Sequence, residues 1–158
     1  MNEVKLGVIE YISKQKFLAA SPYNIFVTDK RLIFSYLTQE ARKETERLLN
    51  EKVKGKSFKE RLSIIMSHGY ELPEKYNTMT FEEILNEHPK NFQLMFDQII
   101  KIRVKRPKTK DSQNQIQPDY LVFQTTKETF KVTPSSEHAL NLLNHVLGDK
   151  AKVPKIIF

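Results

Sequence analysis

Cysteine is absent from this 158-residue chain, and so is tryptophan. The first absence excludes disulfides, thiolate metal ligands and thiol nucleophiles. It is also the habit of a reducing compartment, so a cytoplasmic location is expected. Glycine occurs only four times, too sparsely for a Gly-rich phosphate loop, and neither G-x-S-x-G nor H-E-x-x-H is present. No run approaches the ~18 consecutive apolar residues of a membrane span. The opening ten residues carry Glu3, Lys5 and Glu10 among apolar ones, unlike a secretory leader. The expectation is a non-enzymatic chain without cofactor or catalytic metal.

What is present is enough apolar residue, 39%, for one core, so a single domain over 1–158 is expected. Charge is the second feature. Basic residues number 26 against 19 acidic, and the excess is local. Ile99 to Lys110 holds Lys101, Arg103, Lys105, Arg106, Lys108 and Lys110 with no acid, and without that segment 20 basic residues face 19 acidic. Charge concentrated in this way attracts anions through its local field, whereas scattered charge mainly keeps a protein in solution.

Periodicity supplies the elements. Between Asn24 and Leu37, Ile25 and Val27 alternate with Phe26 and Thr28, and Leu32, Phe34 and Tyr36 alternate with Ile33 and Ser35. A period of two with β-branched and aromatic enrichment predicts two strands, joined tightly through Thr28-Asp29-Lys30-Arg31. Val4 to Ile12 predicts an earlier strand, and Lys16 to Ala20 a further short one. From Thr38 to Lys54 a thin stripe of Ala41, Leu48, Leu49 and Val53 predicts a helix. Ser57-Phe58-Lys59-Glu60 and Thr80-Phe81-Glu82-Glu83 match capping boxes. The first predicts a helix with Phe58, Leu62, Ile65 and Met66 on its apolar side, stopping at Gly69; the second opens a short helix ending at Pro89. Strand pattern returns at Ile99, with Ile100, Ile102 and Val104 expected inside and Lys101, Arg103 and Lys105 outside. Tyr120 to Thr125 and Glu128 to Thr133 predict a hairpin. Thr133 as N-cap, Pro134 in the first turn and Gly148 as stop frame a last helix, with Ala139, Leu140, Leu142, Leu143, Val146 and Leu147 on one face.

The residues Val27-Thr28-x-x-Arg31-Leu32-Ile33-Phe34 resemble the hairpin of small prokaryotic pleckstrin-homology-like domains, which are similar to GRAM domains. Phe96-Asp97-Gln98-Ile99-Ile100-Lys101-Ile102 resembles a later strand entry of that family, "I-P-x-x-D-I-x-x-I", without its proline. The resemblance implies an α+β fold: a bent antiparallel β-barrel or sandwich of about seven strands, then one amphipathic helix capping an open end. It covers 4–37 and 95–147. Residues 38–94 then form a helical insertion after the third strand, and 148–158 an apolar tail. The family supplies binding surfaces, so the resemblance carries over no catalytic or cofactor-binding residue.

Several functional readings stay open. Lys101, Arg103 and Lys105, extended by Arg106, Lys108 and Lys110, form either an anion- and partner-binding row or a solvated strand that resists edge aggregation. A protein partner is expected first, and a peripheral acidic membrane second. Nucleic acid comes third, because the basic run has neither a recognised reading helix nor stacking aromatics, and a small enzyme with an unrecognised site is the remaining alternative. Lys30 and Arg31 flank the first hairpin turn, with Arg31 expected to be structural. Glu83, Glu87 and His88 lie close in sequence, while His138 and His145 are seven residues apart on one helix, too far for adjacent-turn metal ligation. Ordinary surface roles are expected for all five. Tyr76, Phe81, Phe92, Met95 and Phe96 are expected to form a small satellite core. The tail residues Ile156, Ile157 and Phe158 must dock somewhere, either in cis or on the sheet edge of a second copy as a homodimer.

Overall fold

The hairpin that dominates the sequence lies one strand in from the edge of a seven-stranded antiparallel sheet. A computed structural model describes residues 2–16, 19–61, 72–106, 119–133 and 135–151. The strands are β1 (Lys5–Lys16), β2 (Ala19–Thr28), β3 (Arg31–Tyr36), β4 (Phe92–Met95), β5 (Ile99–Lys105), β6 (Tyr120–Thr125) and β7 (Thr129–Thr133). Their order across the sheet is β4-β3-β2-β1-β7-β6-β5, so the sheet is open, with β4 and β5 at its two edges. Helices α1 (Gln39–Val53) and α2 (Phe81–Asn86) follow the third strand, and α3 (Glu137–Leu147) follows the last.

Threonine shapes two of the tight turns. The Thr28 hydroxyl accepts the backbone N–H groups of Lys30 (3.1 Å) and Arg31 (3.0 Å). Thr125 repeats the device between β6 and β7, accepting from Lys127 (3.3 Å) and Glu128 (3.1 Å). In each case a side chain satisfies amides that the reversing backbone cannot pair, which favours Thr at the turn entry.

The sheet coils around one core. Ile9, Ile12, Ile25, Val27, Leu32, Phe34, Leu94, Ile99, Ile102, Leu121, Phe123, Phe130 and Val132 meet there, and Ala139, Leu143 and Leu147 of α3 close it. Each of the larger of these side chains contributes about 1.5–3 kcal/mol by leaving water. A second cluster lies on the opposite face of β2 and β3, where Phe26 and Ile33 pack under Tyr76 and Ile84 with Phe81 alongside. This hairpin is therefore buried on both faces, the second of them holding Phe26 and Ile33 among the buried polar residues Asn24, Thr28, Arg31 and Ser35.

Several expectations need correction. Lys16 to Ala20 is not a separate strand: Lys16 ends β1 and Ala19 begins β2, the two pairing at Lys16↔Ala19. The stretch 38–94 is not helical throughout, because β4 occupies Phe92–Met95 and pairs with β3. Of the aromatics expected in a satellite core, Tyr76 and Phe81 lie there, while Phe92 and Phe96 pack against the main core and Met95 is exposed. Phe58 lies in solvent at 77% exposure instead of on a packed stripe. The cap of α3 is Ser136, whose Oγ accepts from Ala139 N at 3.0 Å, rather than Thr133, which remains in β7. Leu62, Ile65, Met66, Gly69, Pro134 and the tail from Val153 to Phe158 lie outside the described residues. The reciprocal box of Thr80 and Glu83 starts α2 as expected, and in the other expected box Ser57 Oγ accepts from Glu60 N at 3.2 Å; Thr38 caps α1, its side chain accepting from Ala41 N.

Candidate functional site: the outer face of the second half-sheet

Strands β5, β6 and β7 expose one face. Along β5 the burial runs out as the charge runs in: Ile99 is 1% exposed and Ile102 3%, while Lys101, Arg103 and Lys105 are all exposed. Val104 is half-buried. Ile100, expected inside, is 51% exposed. A β-bulge explains it: Ile99 pairs with Thr125 and Lys101 with Gln124, leaving Ile100 without a partner on β6. The extra residue turns Ile100 outward beside Lys101 and restores the alternation for the rest of the strand.

Register assembles the rest of the face. Lys101 lies opposite Gln124, Arg103 opposite Val122 and Lys105 opposite Tyr120. One strand further on, Val122 pairs with Lys131 and Gln124 with Thr129. Lys131 is exposed, and its Nζ sits 5.0 Å from the centre of the Tyr120 ring. The outward positions of the three strands thus hold Lys101, Arg103, Lys105 and Lys131 around Val122 and Tyr120, with amide and hydroxyl donors from Gln124 and Thr129. No carboxylate is among them. Among the described residues Lys101, Arg103 and Lys105 make no ion pair. Arg106, just past the strand, is 3.7 Å from the Asp119 carboxylate and thus partly neutralised. Lys108 and Lys110 lie outside the described residues. Sequence reading found the β5 row but missed Lys131; its place between Phe130 and Val132 in a strand already predicted was the available signal.

Two other cations, Arg31 and Lys14, are built in. Arg31 is 8% exposed and serves the structure. Its guanidinium donates to both carboxylate oxygens of Glu3 (Nε to Oε2 and Nη2 to Oε1, each 2.9 Å), to Glu82 Oε1 (2.7 Å) and to Gln93 Oε1 (2.5 Å). It thereby ties the N-terminal segment, α2 and β4 to the hairpin. Burial raises the Glu3 carboxyl, but the hydrogen bonds of Arg31 and Thr28 and the charges of Arg31 and Lys30 outweigh it and hold the group below its ordinary value. Lys14 points inward, its ammonium 4.7 Å from the centre of Phe130 and 4.9 Å from that of Phe92, with Glu128 Oε1 at 3.1 Å.

Glu83, Glu87, His88 and His138 are likewise engaged. Glu83 caps α2, Glu87 accepts from the Tyr76 hydroxyl at 2.8 Å, and His88 stacks on Tyr36 at 4.7 Å while its Nδ1 accepts from Lys90 N. His138 Nε2 lies 3.0 Å from the Val8 carbonyl oxygen. Among the described residues no three His, Asp or Glu side chains gather closely enough to hold a metal ion. Glu10 and His138 border a cleft of about 560 Å³ between β1, α1 and α3. Burial pushes the Glu10 carboxyl up, partly offset by the nearby His138. Among the described residues no helix is long and apolar enough to cross a membrane.

Against known proteins, no family model matches the sequence and no curated protein matches it. Among solved structures the chain is similar to the C-terminal domain of an unknown protein from Leishmania infantum, at 12% identity and a TM-score of 0.46, over 92% of this chain and 84% of that one.

Proposed function

We propose that this chain is a non-enzymatic interaction module of the pleckstrin-homology-like, GRAM-like kind, which holds an acidic partner on the outer face of β5, β6 and β7. One observation carries the reading: the two halves of the sheet treat their outer faces oppositely. Over β2 and β3 that face is buried, with Phe26 and Ile33 covered by Tyr76 and Ile84 and the polar residues between them enclosed. Over β5 to β7 it is uncovered by any described element, carries Lys101, Arg103, Lys105 and Lys131, and lacks acids. Cations placed together without counter-charges repel one another, and an acidic partner relieves that repulsion. The order of seven antiparallel strands, then a helix closing the core, supports the family reading.

The test compares wild type with K101E/R103E/K105E for retention on immobilised polyglutamate and flotation with phosphatidylserine vesicles. The wild type is expected to be retained by at least one of these at low salt and released at high salt, the variant by neither. Equal retention of the two proteins contradicts the proposal.

A further inference from the structure

Three features were candidates for a ligand. The Glu10–His138 cleft has a carboxylate and an imidazole but no geometry that selects a ligand. The apolar residues exposed near the bulge, Ile100 and Met95, are too few for a docking surface. The basic face alone combines a repeated charge with an aromatic ring.

Resting on the binding role given above to that face, we infer that its partner is a single-stranded nucleic acid, with its phosphates on the β5 row and a base on Tyr120. Lys101, Arg103 and Lys105 recur every second residue, about 7 Å apart along an extended strand. That interval is of the order of the reach from one phosphate to the next along an extended single strand, so the spacing allows one cation per phosphate. The row is exposed along its length. A globular acidic protein or a membrane has no such repeat to match.

The second element comes from register rather than sequence. Tyr120 is half-buried opposite Lys105, so its side chain is partly held by the sheet and partly open to solvent. Lys131 stands over it at 5.0 Å. A base taking that position stacks on the tyrosine ring, and Lys131 swings aside to meet the adjoining phosphate. Stacking of this kind tolerates any base, because every base has a π-face. Gln124 and Thr129 add neutral donors beside the row, and no acid in the outward positions repels the backbone. The aromatic missing from the basic run of the sequence is thus supplied by the neighbouring strand.

Fluorescence anisotropy of a labelled 15-mer of oligothymidine, with a matched duplex, polyglutamate and phosphatidylserine vesicles in parallel, tests the inference. Four cations predict a slope of log K against log salt of about −3 for the single strand. K101E/R103E/K105E abolishes binding, and K131E makes the slope shallower by about 0.7. Tyr120→Ser weakens binding about tenfold at unchanged slope, while Tyr120→Phe retains it. Circular dichroism and melting confirm that each variant is folded. If oligothymidine is not bound, yet polyglutamate or vesicles are held by wild type and released by the triple variant, the nucleic-acid inference falls and the basic-face function stands. The inference falls in the same way if the duplex binds as tightly as the single strand, or if Tyr120→Ser binds as well as wild type. If no probe is bound, or the triple variant binds them all unchanged, both fall.

Discussion

Arg31 and Glu10 show how a single charged residue acts in opposite senses here. Arg31 is buried, but each of its three guanidinium nitrogens meets an acceptor. Lysine cannot reproduce that planar, bidentate arrangement. Arg31→Lys is therefore expected to cost about 2 kcal/mol, the scale of one hydrogen bond to a charged group, in urea unfolding at pH 7. Because the Glu3 carboxyl is held below its ordinary value of 4.5, its contribution is present above that pH and is lost as pH falls through the lowered value. The gap between wild type and variant should shrink in acid; a gap constant down to pH 2 would contradict this account of the pair. Glu10 behaves in reverse. Its raised carboxyl means that the folded state binds the proton more tightly, so stability falls as pH rises from 4.5 through the raised value. Glu10→Gln should raise the melting temperature at pH 7 and leave it unchanged below about pH 4. A lower melting temperature at pH 7 would show that the ionised carboxylate is satisfied where it sits.

At the scale of the element, legibility followed the length of the pattern. The β2–β3 hairpin was readable because alternation runs through both strands and Thr28 marks the turn. The β6–β7 hairpin was readable for the same reason. β4 was not: four residues, Phe92-Gln93-Leu94-Met95, are too few to establish a period, and only pairing with β3 makes them a strand. Nor was the bulge. Ile99 and Ile100 are chemically identical, and only the count of residues opposite Thr125 and Gln124 decides which is buried. The bulge gives a direct contrast. Ile102→Ala should cost about 2–5 kcal/mol, as an aliphatic residue deleted from a packed core does. Ile100→Lys, in the same strand, should stay within about 0.5 kcal/mol of wild type, as surface changes do. Similar losses at the two positions would mean that the strand pairs in the uninterrupted register, with Ile100 inside.

Across the whole molecule, the candidate site was half legible. The run from Ile99 to Lys110 announced itself by charge, and strand alternation told which way Lys101, Arg103 and Lys105 point. Lys131 and Tyr120 belong to segments remote from the run in sequence, joined to it only by the β5-β6-β7 order. Tertiary pairing is what turns a basic row into a face. The function of the large segment between β3 and β4 also becomes physical at this scale: α2 and the turn at Tyr76 cover the outer side of β2 and β3, leaving the opposite half of the sheet as the exposed one.

The most direct measurement is a titration of ¹⁵N-labelled protein with a short polyglutamate, following backbone amides at low salt. The account predicts that shifts concentrate at residues 100–106, 120–124 and 129–132, and that they disappear at high salt as exposed charges are screened. Shifts centred on α1 or on the Glu10–His138 cleft, with β5 to β7 unmoved, would contradict it.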